Sequence, residues 1–137
     1  YRYEGKLAAR IEMNNELAHQ IYAGCDLFLM PSAFEPCGLS QMIAMRYGTL
    51  PIVRETGGLK DTVQPINPLT GEGTGFTFYS YNAHDMLGAI QRAVALYQED
   101  DKTFHKAIRN AMKQDFSWDA SAKEYVKLYQ RLCPEAE

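Results

Sequence analysis

The sequence predicts an α/β fold, a Rossmann-like three-layer arrangement in which helices flank a parallel sheet. Three short apolar runs, at residues 27–30, 50–53 and 76–78, have the composition of buried strands. Helical patterns alternate with these runs, which favours parallel strands joined by right-handed crossovers. A chain of 137 residues with 46% hydrophobic residues can bury a core, so we treat residues 1–137 as a single domain.

The first elements are a short strand and a capped helix. We interpret Lys6–Glu12 as the strand. Asn14 or Asn15 can cap a helix that continues to about Tyr22, because a short side-chain oxygen accepts the free N–H groups of a first turn. Gly24 then ends this helix.

The central part of the chain repeats the pattern of strand followed by helix. The unbroken apolar run Leu27–Met30 predicts a strand that is covered on both faces of the sheet. A helix follows at Gly38–Arg46, and the next strand is Leu50–Val53. Proline cannot donate to a sheet ladder, so Pro51 argues against a central position for this second strand.

The last part of the chain contains a long connection, a short strand and three helices. The connection Arg54–Gly75 is rich in Gly, Pro, Asn and Thr, and long loops without regular structure are often functional. The strand Phe76–Phe78 follows it. We expect three helices, at about residues 83–97, 102–113 and 117–132. Trp118 with Phe116 would anchor the last helix in the core, with stacking on a sugar as the alternative.

Composition and charge exclude several classes of function. The net charge is −3 and there is no Lys/Arg cluster, so a nucleic-acid surface is not expected. No apolar run approaches the ~20 residues of a membrane span, so no membrane contact is expected. The three cysteines are widely spaced and lack metal-ligand spacing, which favours a reducing, cytoplasmic setting. Nothing in the sequence calls for a metal or a cofactor.

The strongest chemical signal lies at residues 31–41, directly after the first apolar strand. Ligands of open parallel sheets bind beyond the carboxyl ends of the strands, and a helix N-terminus there offers free N–H groups to phosphate. The backbone of Gly38, Leu39 and Ser40 is placed for that contact. Glu35 could face the uncharged part of the same ligand. An ordinary helix cap and a solvated loop carboxylate are the alternatives.

The same run resembles a known enzyme signature. Phe-Glu-Pro-Cys-Gly-Leu-Ser-Gln at 34–41 is similar to the donor site of bacterial glycogen synthases and plant starch synthases. Residues 47–54 and 56–63 follow at that family's spacing, and the similarity covers about residues 11–132. The resemblance implies the C-terminal, donor-side part of a two-domain GT-B glycosyltransferase of family 5.

The resemblance also implies an activity and a set of site residues. The family moves glucose from ADP-glucose to the non-reducing end of an α-1,4-glucan with retention of configuration. Glu35 would approach the donor sugar and stabilise positive charge at the anomeric carbon. Four residues would position sugar and phosphate: Cys37, Gly38, Leu39 and Ser40. From composition alone, Cys37 is more often a small buried filler than a nucleophile.

Several positions leave alternatives open. Met13 stands where some relatives have a tyrosine against the donor base, which leaves the base preference undecided. Ile43 replaces the second glutamate of sister families and favours the glycogen and starch synthase branch. Gly57 and Gly58 could form a flexible turn or let backbone approach a sugar. Arg54 could face a ligand, form a salt bridge or be solvated.

The resemblance finally implies partners that residues 1–137 do not supply. The acceptor-binding N-terminal domain and an upstream Arg/Lys pair that neutralises the donor pyrophosphate are absent from this sequence. We therefore expect a fragment of a longer enzyme, inactive by itself. Two rival functions remain, a related retaining transferase with another nucleotide sugar and a non-catalytic nucleotide- or glucan-binding module.

Overall fold

The computed structural model describes residues 3–133, and these form a three-stranded parallel sheet flanked by helices, as the sequence predicts. The strands are β1 (Leu27–Met30), β2 (Leu50–Arg54) and β3 (Phe76–Phe78), in the order β1-β2-β3. The helices are α1 (Asn15–Gly24), α2 (Ser40–Tyr47), α3 (Gly57–Thr62), α4 (Ala83–Glu99), α5 (Asp101–Met112) and α6 (Trp118–Leu132).

Side-chain caps set the starts of four helices. Asn14, not Asn15, caps α1, because its Oδ1 accepts from the N–H of Leu17 at 3.0 Å. The other three caps are Asn82 for α4, Asp100 for α5 and Ser117 for α6. These polar side chains accept hydrogen bonds from N–H groups that the first helical turn leaves free. The local sequence therefore determines where each of these helices begins.

The position of β2 contradicts the expectation from Pro51, since β2 is the central strand and Pro51 is buried in it. Leu50 donates its N–H to Asp26 O beside β1 at 3.0 Å. Successive residues of a strand face alternate neighbours, so the nitrogen of Pro51 faces the β3 side. Pairing with β3 begins only at Ile52, opposite Phe76, and the missing N–H therefore costs no ladder bond.

The core surrounds β2 and β3, whereas β1 lies at an edge of the described sheet. The predicted cover of β1 on both faces is wrong, because Leu29 is 40% exposed and the other three residues are half-buried. The buried apolar core consists of Met45, Leu50, Ile52, Val53, Leu59, Val63, Phe76, Phe78, Ala89, Ala93, Phe104, Ala107 and Ala111. It holds the ends of the three strands in fixed relative positions.

Two expectations about irregular segments are also wrong. Residues 6–12 form no strand and are exposed, because no strand of residues 3–133 pairs with them. The connection 54–75 is not structureless, since it contains α3 and a parallel bridge between Pro65 and Gly75.

The predicted core anchor at Trp118 is wrong for the described part of the chain. Trp118 is 89% exposed, Phe116 is exposed as well, and α6 contains no buried residue. The large apolar side chains of α6 stay exposed: Tyr125, Val126, Leu128, Tyr129 and Leu132. Sequence pattern gives this helix an apolar face but does not tell which surface covers it.

Candidate functional site

The candidate site lies at the carboxyl edge of the sheet, where the three parallel strands end together. The loop after β1 carries residues 31–39, β2 leads into α3 through residues 55 and 56, and β3 leads into α4 through residues 79–82. Ligands of open parallel sheets bind at this edge. The predicted residues 35, 37–40, 57 and 58 therefore share one edge.

Arg54 joins two of these loops. Its Nη1 donates to Ala33 O at 2.6 Å and its Nε donates to Tyr79 O at 3.2 Å. Its guanidinium carbon also lies 5.4 Å from the centre of the Tyr81 ring, a cation–π geometry. Of the alternatives left open for Arg54, the structure thus supports neither a salt bridge nor free solvation. It shows a clamp between the loops after β1 and β3.

Gly57 and Gly58 bring the start of α3 against the loop that carries Glu35. Gly58 donates its N–H to Pro36 O at 3.1 Å. A Cβ at Gly58 would stand 2.6 Å from the Cα of Cys37, and one at Gly57 would overlap the carbonyl oxygen of Glu35. The close approach that these glycines permit is to the loop itself. Their contact with a sugar stays a prediction.

The segment Glu35–Ser40 carries a carboxylate three residues before a run of free backbone donors. The Glu35 side chain is half-buried and has no hydrogen-bond or ion-pair partner within residues 3–133. The first helical bond of α2 runs from Ile43 N to Leu39 O at 2.9 Å, and no side chain caps this helix. The N–H groups of residues 38–40 therefore have no acceptor in the described chain.

Cys37 and Met13 lie differently from the sequence-based expectations. The expectation of a buried Cys37 is wrong, because its side chain is exposed with Sγ 3.7 Å from Gly38 O. A hydrogen-bonded histidine is a usual base for an activated thiol, and no hydrogen bond within residues 3–133 joins Cys37 to a histidine. The side chain of Met13 is 99% exposed, so nothing described packs against it and the structure does not join it to residues 35–40.

Gln41 lies directly beneath this segment, and the sequence pattern did not mark it as a functional residue. Gln41 is 0% exposed, and its Nε2 donates to Gly38 O at 2.8 Å and to Cys37 O at 3.2 Å. Thr62 Oγ1 in α3 lies 3.1 Å from the same nitrogen, whose two hydrogens are shared among the three acceptors. A polar residue among the apolar positions of α2 was the available signal.

Perturbed carboxyl groups lie outside this segment. Hydrogen bonds from Ser80 hold the pKa of Asp85, at the start of α4, below its ordinary value. Similar bonds lower the pKa of three other carboxyl groups: Asp100, Asp115 and Glu124. Residues 3–133 contain no group of three or more His, Cys, Asp or Glu that could hold a metal ion. None of their helices has the length and apolar character needed to cross a membrane.

Known proteins resemble this chain over nearly its whole length. It is 58% identical over 130 residues to glycogen synthase of Desulfitobacterium hafniense, covering 95% of the chain and 28% of that relative. Glycogen synthase of Clostridium acetobutylicum is 57% identical over 129 residues, 94% of the chain and 27% of that protein. The chain therefore spans little more than a quarter of the length of these relatives.

Two solved structures share the fold. The catalytic domain of starch synthase IV from Arabidopsis thaliana, bound to ADP and acarbose, superimposes with a TM-score of 0.79 and 44% identity over 88% of this chain and 25% of that one. Sucrose-phosphate synthase from Thermosynechococcus elongatus gives 0.62 and 30% identity over 91% of this chain and 30% of its own.

A family profile decides the classification. The profile described as "Glycosyl transferases group 1" matches residues 8–114, which include the whole sheet and the segment Glu35–Ser40. The match covers well over half of the 137 residues. The chain therefore belongs to the group 1 glycosyl transferases.

Proposed function

We propose that this chain is the donor-side part of a retaining glucosyltransferase that moves glucose from ADP-glucose to the non-reducing end of an α-1,4-glucan. The observation that carries the proposal is the unpartnered Glu35 carboxylate three residues before the unpartnered N–H groups of residues 38–40. Similarity to glycogen synthases and to a starch synthase bound to ADP and acarbose supports the same donor and acceptor.

Backbone donors at the start of α2 hold the donor phosphate in this proposal. Within residues 3–133 the N–H groups of Gly38, Leu39 and Ser40 face no acceptor, and the positive end of the α2 dipole adds to their attraction for an anion. Phosphate binding of this kind needs no metal. Cys37 and the hydroxyl of Ser40 contribute further contacts on either side of these donors.

Glu35 acts on the sugar in this proposal. A carboxylate without a protein partner can accept hydrogen bonds from sugar hydroxyls and stabilise positive charge that develops at the anomeric carbon. Arg54, through Ala33, and the two glycines at the start of α3 hold the loop that carries it. The loop is thus positioned from two sides before a donor binds.

The N-terminal part of the enzyme completes the site. The carboxyl edge exposes several large apolar side chains: Phe34, Leu39, Tyr79 and Tyr81. An acceptor-binding domain facing this edge would cover them and supply the charges that neutralise pyrophosphate. We therefore expect residues 1–137 alone to transfer no glucose. The free cysteines Cys25, Cys37 and Cys133 suit a cytoplasmic enzyme.

The test is glucose transfer from ADP-glucose to glycogen by the full-length enzyme, with Glu35→Gln as the variant. Glu99→Gln, an exposed carboxylate at the far end of α4, is the matched control. We expect a loss of kcat of about 100-fold or more for Glu35→Gln with ADP affinity retained, and wild-type rates for Glu99→Gln. Full activity of Glu35→Gln would contradict the assigned role.

A transferase that uses another nucleotide sugar is the second candidate. Two observations support this candidate. The chain is similar to a sucrose-phosphate synthase, and the exposed Met13 does not define a pocket for the donor base. Transfer measured with a panel of nucleotide sugars separates the two, because only the first candidate predicts a preference for ADP-glucose. Binding without transfer by the full-length protein would instead indicate a non-catalytic module.

A further inference from the structure

Gln41 is a fully buried amide that serves the backbone of the candidate site. It is 0% exposed at the second position of α2. Its Nε2 donates to the carbonyl oxygens of Gly38 at 2.8 Å and Cys37 at 3.2 Å. Burying a polar side chain costs free energy unless the side chain is hydrogen-bonded. A buried glutamine is therefore expected to have a specific hydrogen-bonding role.

Peptide geometry links these two bonds to the direction of the free donors. In a trans peptide the C=O and the N–H point in opposite directions. The Cys37 carbonyl shares its peptide with the N–H of Gly38, and the Gly38 carbonyl shares its peptide with the N–H of Leu39. Because Gln41 draws both carbonyls inward, both N–H groups point outward, away from the core.

The surrounding groups determine which way the amide faces. Thr62 Oγ1 donates its hydrogen to Gly58 O at 2.6 Å, so it can only accept from Gln41. Three acceptors therefore surround Nε2, while Oε1 is buried without a partner among the residues that the structure describes. The reverse orientation would set an oxygen against these acceptors.

Gly38 provides the space that this arrangement needs. It has a φ of 75°, and a Cβ there would stand 2.5 Å from Oε1 of Gln41. A side chain at position 38 would therefore overlap the amide of Gln41. The same amide reaches α3, so it also couples the loop after β1 to the loop after β2.

We propose that Gln41 is the positioning residue of the donor-phosphate site, because it orients the N–H groups of Gly38 and Leu39 towards the phosphate. This inference rests on the proposed function. It identifies the side chain that holds the phosphate-binding N–H groups in position before the donor binds. Gln41 touches no substrate and acts through the backbone above it.

The test compares Gln41→Met with wild type in the full-length enzyme. Methionine keeps the length and volume of the side chain but removes the donor, so the two carbonyls lose their buried partner. Thr49→Val is the matched control, because Thr49 is equally buried and donates to Tyr22 O and Cys25 O at the opposite end of β2. Calorimetry measures binding of ADP and of adenosine, and kinetics give KM for ADP-glucose and for glycogen.

We expect Gln41→Met to weaken ADP binding and raise the KM for ADP-glucose about tenfold, the loss expected for one hydrogen bond to a charged group. Adenosine binding and the KM for glycogen should stay at wild-type values, and Thr49→Val should change none of the four. Equal losses for ADP and adenosine, or unchanged ADP binding, would overturn the inference.

Gln41→Glu supplies a second, pH-dependent readout. A buried carboxyl group is raised in pKa, and its protonated form donates one hydrogen bond where the ionised form donates none. ADP affinity of this variant should therefore approach the wild-type value as pH falls, and a pH profile parallel to that of wild type would refute the role.

Because ADP binding is measured directly, a wild-type enzyme that binds ADP without transferring glucose would contradict only the proposed function.

Discussion

Replacing Gly58 by alanine tests whether the close approach of α3 to the signature loop matters for activity. The new Cβ would stand 2.6 Å from Cys37 Cα and 2.7 Å from the Cys37 carbonyl carbon. The carbonyl oxygen of Cys37 would lie closer still, and ordinary contact begins at 3.4 Å, so one backbone must move by about 1 Å. Both neighbours are main chain and cannot rotate away as a flexible side chain would.

The expected effect follows from that displacement. Overpacking of this kind costs about 1–3 kcal/mol of stability, and a misplacement of about 1 Å can cost about 100-fold in rate. We therefore expect Gly58→Ala to lower kcat/KM for ADP-glucose about 100-fold in the full-length enzyme and to lower its unfolding temperature. Steady-state kinetics and thermal unfolding, measured on the same preparations, report the two effects.

Gly88→Ala is the matched control. Gly88 lies within α4, and a Cβ there would meet only the Nη1 of Arg92 at the ordinary distance of 3.8 Å. Alanine suits a helix better than glycine, so this change should raise stability by about 0.4–1 kcal/mol and leave kcat/KM unchanged. If Gly58→Ala behaved like Gly88→Ala, the signature loop would tolerate the displacement and the reasoning would fail.

Three further predictions concern the clamp, the core and a helix start. Arg54→Lys should lower kcat/KM for ADP-glucose about tenfold, because one ammonium cannot replace a planar fork that bonds Ala33 O and Tyr79 O; wild-type kinetics would contradict this. Leu59→Ala, at a fully buried position, should lower the free energy of unfolding in urea by about 2–5 kcal/mol, and a loss under about 1 kcal/mol would show that the core collapses around it. The pKa of Asp85 lies below its ordinary 3.8, so its stabilisation is present above that pH and is lost as pH falls through the folded-state pKa. Unfolding temperatures of Asp85→Asn should therefore fall less steeply than those of wild type below about pH 4, whereas parallel curves would rule this contribution out.

Much of the fold was predictable because its causes are local. Asn82 and Ser117 cap helices with their own side chains, and Gly48 closes α2 with a φ of 87°. The apolar runs became the three strands in a parallel sheet. The segment Glu35–Ser40 was likewise recognisable, since a carboxylate and a helix start directly follow a strand.

The errors share a different cause. Strand pairing determines that residues 6–12 form no strand and that Pro51 lies in the central strand. The exposure of Trp118 depends on what lies against α6. Each of these outcomes depends on a partner distant in the sequence. A pattern within one segment carries no information about that partner.

By itself, then, the sequence determined the α/β class, the helix caps and the signature segment with its candidate glutamate, because each follows from side chains acting on their own neighbourhood. Only the tertiary structure decided that Gly58 packs against the loop of Glu35, that Arg54 clamps Ala33 to Tyr79, and that Gln41 bonds Thr62 of α3. Most of these contacts join segments about 20 or more residues apart. Their geometry exists only once the parallel strands have brought their carboxyl ends to one edge.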